Sequence, residues 1–237
     1  MTSVSPDLRE IVCRANLQLA DSGLVTGTFG NVSAVDRDAG LFVIKPSGVP
    51  YEELTPDLTV AVSIETGRPI DTDLRPSSDA PTHLEIYRAF DCGGIVHTHA
   101  EFATAFAQAR LPVRCMGTTH ADYFHGDVPV TRPMTREEVE GDYERNTGLV
   151  IVETFRTAGL SPTEIPGVLV ANHGSFTWGA DAFEAIERAE VLEYLAAIEF
   201  KARLLAPDAE RPAAFLVDRH FHRKHGPKAY YGQRLPR

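Results

Sequence analysis

The stretch Gly93-Gly94-Ile95-Val96-His97-Thr98-His99 decides how this chain is read. Two glycines break what precedes them, and a β-branched pair then runs into His-Thr-His. In an extended strand, side chains at i and i+2 project from one face, so both imidazoles aim at one place. Two such nitrogens are half of a tetrahedral metal site. A His-x-His pair also arises by chance, with one ring merely packed in a core, so the metal reading asks for a third ligand. His173, in Ala171-Asn172-His173-Gly174, follows a second apolar run and precedes a glycine, and is the candidate. Three histidines with an open fourth position describe a catalytic site for a borderline divalent ion, chiefly zinc, able to polarise a carbonyl and stabilise an enolate.

Outward from this stretch, residues 100–109 read as a helix packed on the strand, and 82–90 as the helix before it, with Leu84 and Tyr87 one turn apart. Residues 6–20 carry Leu8, Ile11, Val12, Ala15 and Leu19 at helical spacing, with Gly23 as a stop. Residues 41–44 and 58–64 are β-prone, each followed by a turn (Lys45-Pro46-Ser47-Gly48 and Glu65-Thr66-Gly67-Arg68). Thr135-Arg136-Glu137-Glu138 is a capping box opening another helix. Residues 150–155 are apolar but fit strand or helix, 168–171 read as a strand, and 182–205 form the longest helical pattern. Beyond Pro207 the chain turns polar and ends in a Lys/Arg/His/Tyr-rich tail. Strands and helices mix irregularly, which predicts an α/β layered fold rather than a regular doubly wound one.

The 237 residues make one large domain, or a core with a small appendage; 43% are hydrophobic and 24% charged, which excludes disorder and fibrous repeats. Apolar runs such as 103–107 and 195–198 fall far short of a bilayer span. The first residues, Met1-Thr2-Ser3-Val4-Ser5-Pro6-Asp7, show no secretory pattern. A formal charge of −10 and a pI of about 5.4 argue against nucleic acid and anionic membranes as partners. Cys13, Cys92 and Cys115 are odd in number and widely spaced, with no CxxC, so neither a disulfide framework nor a thiolate zinc site is expected. The expectation is a cytoplasmic globular protein.

Three loops place small polar residues beside Gly or Pro: Gly30-Asn31-Val32-Ser33, Lys45-Pro46-Ser47-Gly48 and Pro76-Ser77-Ser78-Asp79. Exposed backbone N–H groups in such loops can form a nest for phosphate; each loop alone reads better as an ordinary turn, and only the three together bring anion binding level with it. Lys45 stands out because the chain has four lysines and the other three lie beyond residue 200. Asp79 fits a helix N-cap as well as a functional carboxylate. Asp122, in Thr118-Thr119-His120-Ala121-Asp122-Tyr123, is a candidate general acid or base or a merely solvated carboxylate. The tail with Tyr230-Tyr231 is either a frayed basic terminus or a segment folding over a site, in a neighbouring subunit for instance, with a phenol as acid.

In this order, the segments resemble the class II aldolase/epimerase superfamily, closest to its L-ribulose-5-phosphate 4-epimerase branch. The pieces are Gly30-Asn31-Val32-Ser33-Ala34-Val35-Asp36, Ile44-Lys45-Pro46-Ser47-Gly48-Val49, Pro76-Ser77-Ser78-Asp79-Ala80-Pro81-Thr82-His83, the His97–His99 stretch, Gly117-Thr118-Thr119-His120-Ala121-Asp122-Tyr123-Phe124, Asn172-His173-Gly174, and Arg223-Lys224-His225-Gly226-Pro227-Lys228-Ala229-Tyr230-Tyr231-Gly232-Gln233. They cover essentially the whole chain. The resemblance implies a three-layer α/β/α sandwich with a central, mostly antiparallel sheet. It implies a single domain over 1–237 whose C-terminal tail (about 218–237) closes over the active site, and a cyclic homotetramer with sites between adjacent subunits. It assigns His97, His99 and His173 to Zn2+ (Mn2+ or another divalent ion being alternatives), with Asp79 as a further candidate metal ligand. Asp79 stands where related aldolases carry a Glu that serves as metal ligand and proton carrier, which counts against aldolase as the main activity. It places Asn31, Lys45, Ser47, Gly48, Ser77 and Ser78 around a sugar phosphate, makes Asp122 and Tyr231 the acid/base pair, and has Thr118, Glu144 and His220 support the site across the subunit boundary. The extension Arg234-Leu235-Pro236-Arg237 departs from the pattern.

The implied reaction interconverts L-ribulose 5-phosphate and D-xylulose 5-phosphate by breaking and remaking the bond between carbons 3 and 4. Rivals are a class II aldolase that releases its products (L-fuculose 1-phosphate as the typical substrate) and a non-catalytic metal or sugar-phosphate binding protein. A His-x-His hydrolase on a β/α barrel is a third, disfavoured because too few strands precede His97 and no late metal-binding Asp presents itself.

Overall fold

A computed structural model describes residues 4–70, 72–227 and 229–231. Helix α1 (Pro6–Asp21) is followed by strands β1 (Asn31–Asp36), β2 (Leu41–Ile44) and β3 (Val60–Ser63), then α2 (Ala80–Ala89), β4 (Gly94–Thr98) and α3 (Glu101–Ala109). The second half holds α4 (Thr118–Ala121), α5 (Arg136–Glu140), α6 (Tyr143–Ala158), β5 (Gly167–Leu169), β6 (Ser175–Gly179), α7 (Ala182–Leu205) and α8 (Ala214–His225). The six strands form one sheet in the order β3-β2-β1-β4-β6-β5, and every neighbouring pair is antiparallel.

Helices cover both faces. All four residues of β2 are buried, because Leu41 and Val43 pack with α1 and the start of α7 while Phe42 and Ile44 pack with α2 and α6. Phe42 meets the Tyr87 ring at 5.3 Å, and Phe90, Phe155 and Trp178 form an aromatic knot under α2 and α6. Each of these rings contributes roughly 2–3 kcal/mol by leaving water. On the other face, Asn16 of α1 donates to the Val32 carbonyl and accepts from the Val32 N–H, both at 2.9 Å, which ties α1 to β1. Asp181 caps α7 by accepting from Phe183 and Glu184. The Gly93-Gly94 pair lies against that cap. A Cβ on Gly94 would sit 2.5 Å from Ala182, so the strand bearing His97 can pass beneath α7 only with glycine there. Among the described residues, no helix is long and apolar enough to cross a membrane.

Residues 150–155, which fit strand or helix, lie inside α6. Several expectations need correction. The strand expected over 58–64 is shortened to β3 by a preceding 3-10 turn, Pro56–Leu58. The Gly30-Asn31-Val32-Ser33 segment is no loop: from Asn31 onward it is β1, paired on both sides. Strand β6 was not anticipated, and the start of the tail, open between a frayed terminus and a folded segment, belongs to α8. His99 lies one residue past the end of β4. Gly232-Gln233 and the extension after them lie outside the described residues.

His120 in α4 is buried, and its Nε2 donates to the Gly126 carbonyl at 2.7 Å; burial pushes its pKa down to about 4. The unfolded chain takes this proton near pH 6.5, before the folded chain does. Stability is therefore fully present above about pH 6.5 and declines as the pH falls towards 4, by roughly 3 kcal/mol once both states are protonated. Urea unfolding at pH 7 and pH 4.5 is expected to show a smaller loss for H120Q than for the wild type. Equal losses would contradict this assignment.

Candidate metal centre

The register Asn31↔His97↔Phe176 places three side chains in a row on the α2 face of the sheet. At that same end β1 and β6 begin and β2 and β4 finish, so the segments around residues 29–31, 45–48, 97–99 and 173–175 meet. Residues 75–77 join them by bridging to the continuation of β2.

The three histidines converge as expected. Their ring centroids form an equilateral triangle, 4.9 Å on each side, and the Nε2 atoms of His97 and His99 are 3.1 Å apart. The ligand atoms of all three lie within 4.8 Å of one another. Two nitrogens on one tetrahedral zinc stand roughly 3.3 Å apart, close to what is seen here. His97 Nδ1 is spoken for by the Ser175 carbonyl at 2.9 Å, which turns Nε2 towards the cluster, and the ring lies flat on Phe176. Burial, reinforced by the neighbouring imidazoles, lowers the pKa of His173 to about 4 and also lowers that of His99. These two rings are thus neutral at pH 7, with lone pairs free to bind a cation. The donor set fits a divalent ion of the zinc type.

Asp79 lines the same cavity but is not among the three residues whose ligand atoms gather within 4.8 Å, and its Oδ2 accepts from Asn31 Nδ2 at 2.7 Å. Although it holds the N-cap position of α2, its side chain makes no capping bond. Burial favours its neutral form, but His97, His83 and the Asn31 amide outweigh this and hold its pKa below the ordinary value.

A cavity of about 320 Å³ is lined by His97, His99 and His173, and by Asn31, Lys45, Ser47, Gly48, Ser77, Ser78 and Asp79. Lys45 is only 2% exposed. Its Nζ donates to the Val49 carbonyl at 2.6 Å and lies over the Tyr51 ring, with no carboxylate partner among the described residues. Burial lowers its pKa. Asn31 Oδ1 is likewise buried without a partner. The expected nest is only partly present. Ser47 N–H donates to the Arg75 carbonyl and Ser77 N–H to the Lys45 carbonyl, whereas the amides of Gly48 and Ser78 have no partner among the described residues. Ser33 points into the core, where its hydroxyl meets His83 Nδ1 at 2.7 Å and Tyr87 Oη at 2.8 Å.

Asp122, His220 and Tyr231 gather around Arg223 in a second cluster away from this lining. Asp122 receives two hydrogen bonds from Arg223, at 2.7 and 3.0 Å, and one from His220 at 3.1 Å. Burial would raise its pKa, but these donors hold it below the ordinary value. The guanidinium of Arg223 lies 4.7 Å from the Tyr231 ring, and Tyr231 is 57% exposed. The described part of the tail therefore packs on Asp122 and Tyr123, not over the cavity of its own chain. Thr118 starts α4, and Glu144 lies in the first turn of α6, where its carbonyl accepts from Thr82; neither lines the cavity. Sequence reasoning passed over Thr28 and Phe29, which line the cavity, Phe29 stacking on His99 at 6.0 Å. The signal was their position between Gly27 and Gly30, both at positive φ.

Gly174 is packed into the triad. A Cβ there would lie 2.5 Å from the Thr98 carbonyl oxygen and 2.8 Å from His99 Cδ2. Gly174→Ala is expected to cost about 1–3 kcal/mol by overpacking. It should also cut metal content after dialysis at least tenfold, and wild-type occupancy would contradict the close fit.

Three solved structures place this architecture among known proteins. An L-fuculose 1-phosphate aldolase is 26% identical, with 91% of this chain and 95% of that one covered and a TM-score of 0.75. YgbL from Klebsiella pneumoniae, described as a putative aldolase/epimerase/decarboxylase, is 27% identical over 92% of this chain and 99% of its own, at a TM-score of 0.71. The L-fuculose-1-phosphate aldolase of Thermus thermophilus is 27% identical over 87% and 98%, at a TM-score of 0.66. The family model described as Class II Aldolase and Adducin N-terminal domain matches residues 10–200. With most of its length matched and the layered antiparallel sheet of these neighbours, the chain belongs to the class II aldolase and adducin N-terminal domain family.

Proposed function

We propose that this protein is a metal-dependent epimerase that interconverts L-ribulose 5-phosphate and D-xylulose 5-phosphate. One observation carries the reading: a triad of converging imidazoles shares one cavity with a buried lysine that has no carboxylate partner among the described residues. Such a cavity suits a molecule with a carbonyl and hydroxyl at one end and a phosphate at the other.

His97, His99 and His173 hold the divalent ion, which when bound supplies positive charge beside the carbonyl end of the sugar. Lys45 takes the phosphate, with the Gly48 and Ser78 amides and the hydroxyls of Ser47 and Ser78, and Asn31 presents its free Oδ1 to a substrate hydroxyl. A base removes the proton of the hydroxyl on carbon 4, and the bond between carbons 3 and 4 breaks with its electron pair passing to the carbonyl at carbon 2, leaving glycolaldehyde phosphate and the enediolate of dihydroxyacetone. Held by its phosphate, this fragment turns over without escaping. The bond re-forms on the other face, and an acid returns the proton to the oxygen on carbon 4. Asp122 and Tyr231 fill these two roles from a neighbouring subunit of a homotetramer, since within one chain they lie away from the cavity. Asp79 stays with Asn31, and its short side chain supports epimerisation over product release. The second reading, an aldolase that frees its products, draws support from the neighbours named L-fuculose 1-phosphate aldolase.

Zn2+- or Mn2+-loaded protein given L-ribulose 5-phosphate is expected to form D-xylulose 5-phosphate without accumulating free aldehyde. Accumulation of glycolaldehyde phosphate, or turnover of L-fuculose 1-phosphate alone, would overturn the epimerase reading in favour of the aldolase. Tyr231→Phe should retain metal content and folding while losing roughly 10²–10⁴-fold in rate. Wild-type turnover in that variant would remove Tyr231 from the acid/base pair.

A further inference from the structure

Among the described residues, two non-glycine residues adopt a positive φ, Arg110 at 55° and Asn172 at 63°, and they are bonded to each other. Arg110 is the left-handed C-cap of α3, and its Nε donates to Asn172 Oδ1 at 3.0 Å. Asn172 in turn donates through its backbone N–H to the Ala107 carbonyl at 2.9 Å, and through Nδ2 to the Gln108 carbonyl at 3.4 Å. It immediately precedes His173.

His173 differs from His97 in how its ring is held. The Ser175 carbonyl fixes Nδ1 of His97, whereas Nδ1 of His173 is buried with no hydrogen-bond partner. Its direction must come from the backbone that carries it and from packing. Helix α3 connects the two ends of this arrangement. It starts two residues after His99, runs for nine residues, and ends in the cap that grips Asn172. Its length of roughly 13 Å sets a rigid span between the second and third histidines.

We infer that Arg110 is a positioning residue for the metal centre, acting through Asn172 to aim His173. The inference rests on the metal reading of the histidine triad. Direct hydrogen-bond partners of a ligating imidazole are typically worth 10–100-fold in metal affinity; Arg110 and Asn172 act one step further out, through the backbone that carries His173. A purely conformational role for Asn172 makes a different prediction, because glycine tolerates the left-handed region better than asparagine.

The test uses the full-length protein and Co2+ alone, followed by its visible absorption and its transfer to a chelator, with thermal unfolding of the metal-free variants as the control for folding. R110M and N172G should each weaken Co2+ binding about tenfold or more and speed its release, and the double variant should be no weaker than either single one. N172D, which keeps the acceptor for Arg110, should stay within about threefold of the wild type. Wild-type affinity in R110M or N172G, or an N172D variant as weak as N172G, would overturn the inference. Wild-type protein that takes up no Co2+ would overturn the metal reading and this inference together. Should R110M fail to fold, the comparison of N172G with N172D decides the matter alone.

Discussion

The pairing of β4 between β1 and β6 is the constraint on which the site depends. Its register sets Asn31, His97 and Phe176 abreast. One slip of register would send His97 to the opposite face, because successive strand side chains alternate. That register is secured at the other end of β4, where Gly93 and Gly94 allow the strand to touch the cap of α7. With β4 in place, β6 starts beside His97, so the tip preceding it carries His173 to the cluster and leaves room there only for Gly174.

The electrostatics of the cavity follow from burial. Two imidazoles are pushed towards their neutral forms, a lysine is sunk to 2% exposure, and among the described residues that lysine has no carboxylate partner and one amide oxygen has none at all. Each of these costs stability in a folded chain with an empty cavity, since unpaired buried polar groups lose hydration without replacement. The same groups gain partners when a cation meets the imidazoles and an anion meets Lys45. Asp79 balances part of this field, held by Asn31 and drawn down by the surrounding histidines. The cavity is thus incomplete by construction at both ends, which agrees with the proposed ligand, a chelating sugar that carries phosphate.

Much of this was legible in the residues. His97 and His99 were paired by the two-residue period of a strand, and His173 by its place after an apolar run and before glycine. Contacts between distant segments were not legible, and they decided the rest. Residues 30–33 look like a turn because Gly30 and Asn31 dominate them, yet β2 and β4 on either side make residues 31–36 a strand. Ser175-Phe176-Thr177-Trp178-Gly179 alternates small polar and aromatic residues, a strand signal obscured by the glycines around it. The tail looks frayed because α8 buries little beyond Phe221; what orders it is Asp122, about a hundred positions away, gripping Arg223. Asp79 is written as either a cap or a ligand; the structure puts it at the N-cap position of α2 with its carboxylate turned to Asn31 instead of to the helix amides, a contact between distant segments.

The central claim is that this sheet end closes three imidazoles around a single divalent ion. X-ray absorption at the metal edge of Zn2+-loaded, dialysed protein tests it most directly. The account predicts one ion per chain in a light-atom shell with the outer scattering of three imidazoles. A protein that loses its zinc on dialysis, or a spectrum with sulfur neighbours or a single imidazole, would contradict it.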